Sequence, residues 1–204
     1  MKRVLIASSN RGKLRDFVAV AARHGVQVEL LPDFHSLPEA IEDGETFDEN
    51  ARKKAEHYSR YAPGRVVLAD DSGLSVDHLN GEPGVRSARY AATTEYGNSH
   101  DAANNALLID RMKDVPDGQR QARFVCVIAI ARDGKTLATF RGEARGQLLH
   151  ARRGTGGFGY DPLFYFPALG KTFAELTPEE KAGVSHRGAA FEKFLEWCDK
   201  QIQI

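Results

Sequence analysis

An excess of charge of either sign is missing from this 204-residue chain. Its 28 Lys and Arg residues balance 28 Asp and Glu, for a formal net charge of zero. A general nucleic-acid binder usually carries a strong basic excess. The balance therefore excludes nucleic acid as an expected partner and limits any polyanionic ligand to a small one bound locally. Cysteine is almost absent: only Cys126 and Cys198 occur, far apart, with no zinc or redox spacing. Both read as buried thiols in a reducing compartment. No apolar run approaches the roughly 20 residues that cross a bilayer. The first residues, around Val4-Leu5-Ile6-Ala7, have no signal-peptide layout. These absences predict a cytoplasmic protein with no membrane partner. Repeats, low-complexity tracts and clean linkers are also lacking, so the chain reads as one domain, built from one core or from two lobes sharing it.

The apolar pattern supplies the elements. Arg3 to Ser8 reads as a short buried strand, and residues 12 to 24 read as a helix with Leu14, Phe17, Val18 and Ala21 on one face. Val26 to Leu31 is a second strand, followed by an acidic loop over 32–45. Thr46-Phe47-Asp48-Glu49 is a capping-box pattern that starts a helix running to about Tyr61. Arg65 to Ala69 reads as a strand ending at Asp70-Asp71-Ser72-Gly73, and Leu74 to Leu79 alternates as its continuation in the sheet. Asp101 to Met112 is helical. Gln121 to Ala131 and Thr136 to Arg145 are long strands joined at Asp133-Gly134, a strong hairpin signal. Arg187 to about Ile202 is the last helix. Early β-α-β units with a long hairpin predict the α/β class, a mixed central sheet flanked by helices.

Five segments carry residues suited to chemistry. Gly154 to Asp161 reads G-T-G-G-F-G-Y-D. It satisfies G-x-G-x-x-G, but Pro162 disfavours helical geometry at Asp161, so it cannot open the helix a dinucleotide fingerprint requires. Glycines beside Phe158, Tyr160 and Asp161 instead suggest a flat slot with a hydrogen-bonding edge, suited to a heterocyclic base. Ser8-Ser9-Asn10-Arg11-Gly12-Lys13 lies between a strand and a helix, where backbone N–H groups and the helix dipole favour an anion. The alternative there is an N-cap followed by a solvated lysine. On the second helix, Lys54 projects to the buried side beside Asn50, among Phe47, Ala51, Ala55 and Tyr58. Buried lysine is rare without a partner, so Lys54 either covers apolar surface with its stem while the ammonium snorkels out or, the favoured reading, lines an internal cleft facing an anion.

Asp70 and Asp71 end a strand, where open α/β sheets place ligands. Adjacent strand residues point to opposite faces, so the two should not act as a symmetric dyad. Carboxylates here suit Mg²⁺, which keeps waters and substrate phosphates among its ligands. Glu39, Glu42, Asp43 or Glu45 could add a second one; the alternative is an Asx-type turn at Asp71-Ser72-Gly73. Ser185-His186-Arg187-Gly188 begins the last helix, with His186 as a capping residue and Arg187 offering a donor fork that matches an oxo group.

In order along the chain, S-N-R-G-K (from Ser9), T-F-x-E-N-A-x-x-K-A (from Thr46), A-D-D-S-G-L (from Ala69), P-G-V-x-S-A-R-Y (from Pro83), Q-A-R-F (from Gln121), G-T-G-G-F-G-Y-D-P-L-F (from Gly154) and S-H-R-G (from Ser185) resemble the inosine/xanthosine triphosphate pyrophosphatases, in their bacterial form. The resemblance implies an elongated mixed sheet whose two lobes flank a nucleotide cleft, and a homodimer. It implies Mg²⁺-dependent hydrolysis of ITP, dITP and XTP to the monophosphate and pyrophosphate. Phosphate contacts fall on Ser8, Ser9, Asn10, Arg11, Gly12 and Lys13, with Asn50 beside Lys54. Asp71 takes the proton-acceptor and metal-linked role, Glu42 the second metal position, and Ser72 a substrate contact. Phe158, Gly159, Tyr160, Asp161, Lys181, His186 and Arg187 fall on base-binding positions. Ser9 departs from the family, where glycine is common between the hydroxyl residue and Asn10. The bond pattern of a 6-oxopurine then matches Arg187 as donor to the oxo group, and Asp161 or a backbone carbonyl as acceptor from N1–H. Two other readings remain: a pyrophosphatase for modified pyrimidine nucleotides, and a nucleotide sensor without turnover.

Overall fold

A computed structural model describes residues 2–92 and 99–201. The strands are β1 (Lys2–Ile6), β2 (Val26–Leu30), β3 (Val67–Val76), β4 (Gln121–Arg132), β5 (Lys135–Leu148), β6 (Phe164–Phe166) and β7 (Lys171–Thr172). They form one sheet in the order β2-β1-β3-β4-β5-β6-β7. β1 is parallel to both β2 and β3, with Ile6 opposite Leu30 and Leu68, whereas β6 is antiparallel to β5 and β7. The helices are α1 (Arg11–Arg23), α2 (Phe47–Ser59), α3 (Asp101–Arg111), α4 (Pro178–Val184) and α5 (His186–Gln201). This is the mixed α/β architecture expected from the sequence.

The chain divides into two compact units. The first comprises Met1–Asp71, Cys126–Glu143 and Ala182–Ile204, and the second Ser72–Val125 and Ala144–Lys181. The first has a core of Phe17, Leu68, Ile128, Ile130 and Phe191, with the rings of Phe17 and Phe191 6.1 Å apart. Burying each such side chain contributes about 1.5–3 kcal/mol, so α1, α5 and the parallel strands are held mainly by this face. In the second, Phe124, Phe164 and Phe173 pack ring to ring at 4.7, 4.8 and 5.6 Å. Beside them the buried Arg120 guanidinium donates to the carbonyls of Met112, Val115, Leu148 and Leu149, so the charge is solvated by backbone.

Local signals explain most element ends. Thr46 and Glu49 form the predicted capping box of α2, and Phe47, Ala51, Ala55 and Tyr58 are buried. The β4–β5 turn has Asp133 at φ 52° and Gly134 at φ 78°, the two positive values that a type I′ hairpin requires.

Other expectations need correction. β3 does not stop at Ala69; it runs unbroken through Asp70-Asp71-Ser72-Gly73 to Val76, so there is no Asx-type turn. Residues 77–79 leave the sheet as a short 3₁₀ turn. β5 extends beyond the predicted 136–145, and β6, β7 and α4 were not foreseen. Cys126 is buried, but Cys198 is only half-buried. Among the described residues, no helix is long and apolar enough to cross a membrane.

Candidate active site

The first unit gathers ionisable groups around the middle of β3. Strand alternation turns Asp70 and Asp71 to different partners. Asp70 Oδ2 lies 3.0 Å from Lys13 Nζ, whereas Asp71 Oδ1 lies 3.2 Å from Lys54 Nζ. Asn50 Nδ2 donates to Asp71 Oδ2 at 3.3 Å, and Lys54 Nζ donates to Glu42 Oε2 at 2.9 Å. The buried lysine inferred from helical spacing thus bridges two carboxylates. Burial disfavours its ammonium, but Asp71, Glu42 and Asp70 outweigh that cost and hold its pKa above the ordinary lysine value.

The two neighbouring aspartates are tuned in opposite directions. Burial pushes Asp71 up from the usual carboxylate pKa, and the nearby charges of Lys54 and Lys13 do not fully offset it. Burial also acts on Asp70, yet Lys13, Arg187 and Lys54 together hold it below the ordinary value. The asymmetry predicted from alternation is therefore electrostatic as well as geometric.

The turn from β1 into α1 serves two purposes at once. Asn10 is the N-cap, its Oδ1 accepting from Gly12 N–H at 2.9 Å and Lys13 N–H at 3.0 Å. Ser8 Oγ accepts from Asn10 N–H at 3.4 Å. Lys13 is not the solvated residue of the alternative reading, because its ammonium meets Asp70. Ser9 and Arg11 are exposed, and Gly12 is buried. The Ser8–Lys13 turn still presents a helix N-terminus, the feature that suits phosphate oxygens.

The acidic loop is strapped along α2, which sequence reasoning missed. His57 Nε2 lies 2.8 Å from Pro38 O, and Ala40 N–H donates to Tyr58 Oη at 3.3 Å. Further along, Asp43 meets Lys53, Gly44 N–H donates to Asn50 Oδ1 at 2.8 Å, and Glu45 N–H donates to Glu49 Oε2 at 2.8 Å. Glu42 is held in the middle of this ladder. Among the described residues, no group of three or more Asp, Glu, His or Cys side chains is placed to hold a metal by itself.

Arg187 and His186 also belong to the first unit. Both are buried at the start of α5; Arg187 Nη1 lies 3.0 Å from Asp16 Oδ2. The cap expected of His186 is supplied by Ser185, whose Oγ accepts from Gly188 N–H at 3.0 Å. The Arg187 fork meets Asp16, and its charge acts on Asp70.

The second unit contains the glycine loop, which opens no helix. Gly154, Gly157 and Gly159 have φ values of 86°, 71° and 58°. At Gly157 the need for glycine is also steric, since a Cβ would lie 2.1 Å from Asp161 Oδ2. That oxygen accepts from Phe158 N–H at 2.9 Å and from Lys181 Nζ at 2.7 Å. Asp161 therefore acts as an internal strut of the loop. Lys181 Nζ lies 4.9 Å from the centroid of the Phe158 ring, close enough for a cation–π contact. Tyr160 is buried and donates to Ser87 O at 2.8 Å, and Gly156 N–H donates to Ala174 O at 3.0 Å. Ser72 is half-buried on β3.

The Ham1 family model matches residues 4–197, and the chain belongs to the Ham1 family. A dITP/XTP pyrophosphatase of Acidobacterium capsulatum is 53% identical over 194 residues, spanning 93% of this chain and 95% of the relative. A dITP/XTP pyrophosphatase of Geobacillus kaustophilus is 50% identical over 202 residues, with 99% and 97% covered. Among solved structures, the Staphylococcus aureus Ham1 protein superimposes with a TM-score of 0.82 at 38% identity, covering 98% of this chain and 100% of that one. A nucleoside-triphosphatase / dITP/XTP pyrophosphatase from Mycobacterium abscessus gives a TM-score of 0.72 at 39% identity, covering 95% and 98%.

Proposed function

We propose that the protein hydrolyses the non-canonical purine nucleotides dITP, ITP and XTP to the nucleoside monophosphate and pyrophosphate. The observation that carries this reading is the bridge from buried Asp71 through buried Lys54 to half-buried Glu42, beside Lys13, in a chain 53% identical to a dITP/XTP pyrophosphatase. The Ser8–Lys13 turn supplies backbone N–H groups and a helix dipole to phosphate oxygens. Lys13 and Lys54 neutralise charge that develops on the pyrophosphate leaving group. Asp71, held above the usual carboxylate pKa, accepts the proton of the attacking water more readily than an exposed aspartate would. A passive sensor has no use for such a base.

Glu42 and Asp71 also fit a Mg²⁺ ion. Their oxygens, which accept from the same ammonium, are hard ligands, and two carboxylates suffice for a cation that completes its shell with water and phosphate oxygens. When bound, Mg²⁺ would supply charge neutralisation on the phosphates and a lower pKa for bound water. In the second unit, Phe158 offers an aromatic face and the glycine loop a backbone edge to the base. The family resemblance further implies a homodimer, which sedimentation of the purified chain would test.

The deciding experiment incubates the protein with Mg²⁺ and ITP, XTP, dITP, GTP, ATP or dTTP and identifies the products. Monophosphate plus pyrophosphate, preferentially from ITP, dITP and XTP, is expected. Diphosphate plus phosphate, or equal rates on ATP and GTP, would overturn the reading. Loss of turnover on withholding Mg²⁺, restored by adding it back, would support the metal assignment.

A further inference from the structure

Gly159 is gripped on both sides of its backbone by one helix. Its N–H donates to Asp101 Oδ2 at 2.6 Å, and its carbonyl accepts from Asn105 Nδ2 at 2.8 Å. Asp101 and Asn105 stand one turn apart on α3, so their side chains share a face. Asn105 Nδ2 also donates to the Asp101 carbonyl at 2.6 Å. Both of its partners are carbonyl oxygens, which fixes the orientation of the amide. That orientation leaves Asn105 Oδ1 buried and without a hydrogen-bond partner among the described residues, in a side chain that is 1% exposed. An unsatisfied buried acceptor is costly and calls for an explanation. The explanation here is the grip itself: the amide gives up one acceptor to place two donors.

The helix behind the grip is anchored in turn. Asn104 Oδ1 accepts from Ala91 N–H at 2.9 Å, fastening α3 to the segment whose Ser87 carbonyl receives the Tyr160 hydroxyl. Gly159 lies directly between Phe158 and Tyr160, and its φ of 58° lies in the left-handed region that favours glycine. Holding both its amide groups fixes the direction in which Phe158 leaves the backbone.

We propose that Asp101 and Asn105 are positioning residues that set base affinity and selectivity by fixing Gly159. This rests on the reading of the 154–161 loop as the base-binding element. The helix then contributes to purine discrimination with no side chain on the base itself.

The test is the substitution Asn105→Asp, nearly isosteric, which turns an oxygen toward two carbonyls. Losing the grip is expected to raise KM for ITP about tenfold, with kcat changed less than about twofold. The ratio of kcat/KM for ITP over GTP should fall as well. Asp101→Ala tests the other half at an exposed position, and Asp101→Asn, which keeps an acceptor oxygen, should restore KM. A change in kcat at constant KM, or a KM increase that leaves the ITP over GTP ratio unchanged, would overturn the proposal. If Asn105→Asp does not fold, the Asp101 pair decides alone. Wild-type protein inactive on every purine triphosphate would defeat the functional reading. An active wild type whose variants keep its KM and preference would defeat only the grip.

Discussion

The two groups of candidate residues are built in opposite ways. In the first unit, charged side chains from β3, α1, α2 and α5 are set against one another, with Glu42 added from the acidic loop. In the second, a glycine-rich loop, proposed to present its backbone to the base, is held by side chains such as Asp161 used as struts. Buried charges tolerate no slack, because each must be matched by a partner. A base slot instead needs shape, which glycines provide only when something else removes their freedom.

Substitutions can break this contrast, beginning with the largest effect. Asp71→Asn should lower kcat for ITP by about 10²–10⁴, the range typical of a lost general base. Steady-state kinetics with saturating Mg²⁺ measures this. In the metal-free protein at pH 7 the same substitution removes an unfavourable buried charge but also a partner of the Lys54 ammonium, so its net cost should be smaller than that of Asp70→Asn. Since the folded state raises the pKa of Asp71, its favourable contribution belongs to the protonated form, present at low pH and lost as pH rises through the folded pKa. Asp70→Asn should do the reverse, because a lowered pKa means stability present above the unfolded value near 3.8 and lost as pH falls through the folded one. Urea melts at pH 7 should therefore rank Asp70→Asn as the less stable variant; the opposite ranking would end the claim of opposite tuning.

Lys54→Met removes the ammonium that bridges Asp71 and Glu42. A loss of about 3 kcal/mol is expected from breaking a buried pair, reduced to the extent that water reaches Glu42. In the glycine loop, Gly157→Ala forces a side chain toward Asp161 at φ 71°, and a KM increase of about tenfold with little change in kcat would follow from about 1–2 kcal/mol of strain. A drop in kcat instead would blur the division of labour. The smallest effect concerns the thiols. Burial, with Asp70 nearby, pushes the Cys126 pKa well above an ordinary thiol. Iodoacetamide at pH 8 should label the native protein at Cys198 alone and the urea-unfolded protein at both, as read by mass spectrometry.

The sequence was most legible where a period or a fixed spacing carried the signal. Helical projection placed Lys54 inside, and the capping box placed the start of α2, because both depend on residues within a few positions. β3 was misread because Asp-Asp-Ser-Gly has the composition of a turn. What keeps it extended is non-local: Asp70 has Lys13, Asp71 has Lys54 and Asn50, and a Cβ at Gly73 would sit 2.3 Å from Ser87 Oγ. Tertiary partners of this kind override strand propensity. The grip on Gly159 was invisible for the same reason, its two ends lying 58 and 54 positions apart. The glycine spacing marked the loop without showing what holds it.

The strap of acidic loop on α2 has a consequence of its own. Surface loops usually accept insertions and deletions freely. Between Pro38 and Glu45, however, the loop first meets His57 and Tyr58, and then Glu42, Asp43, Gly44 and Glu45 meet Lys54, Lys53, Asn50 and Glu49 in descending order along the helix. Each contact sets the phase of the next, so one added or missing residue would shift every later pairing and carry Glu42 off Lys54. This irregular stretch has a reading frame.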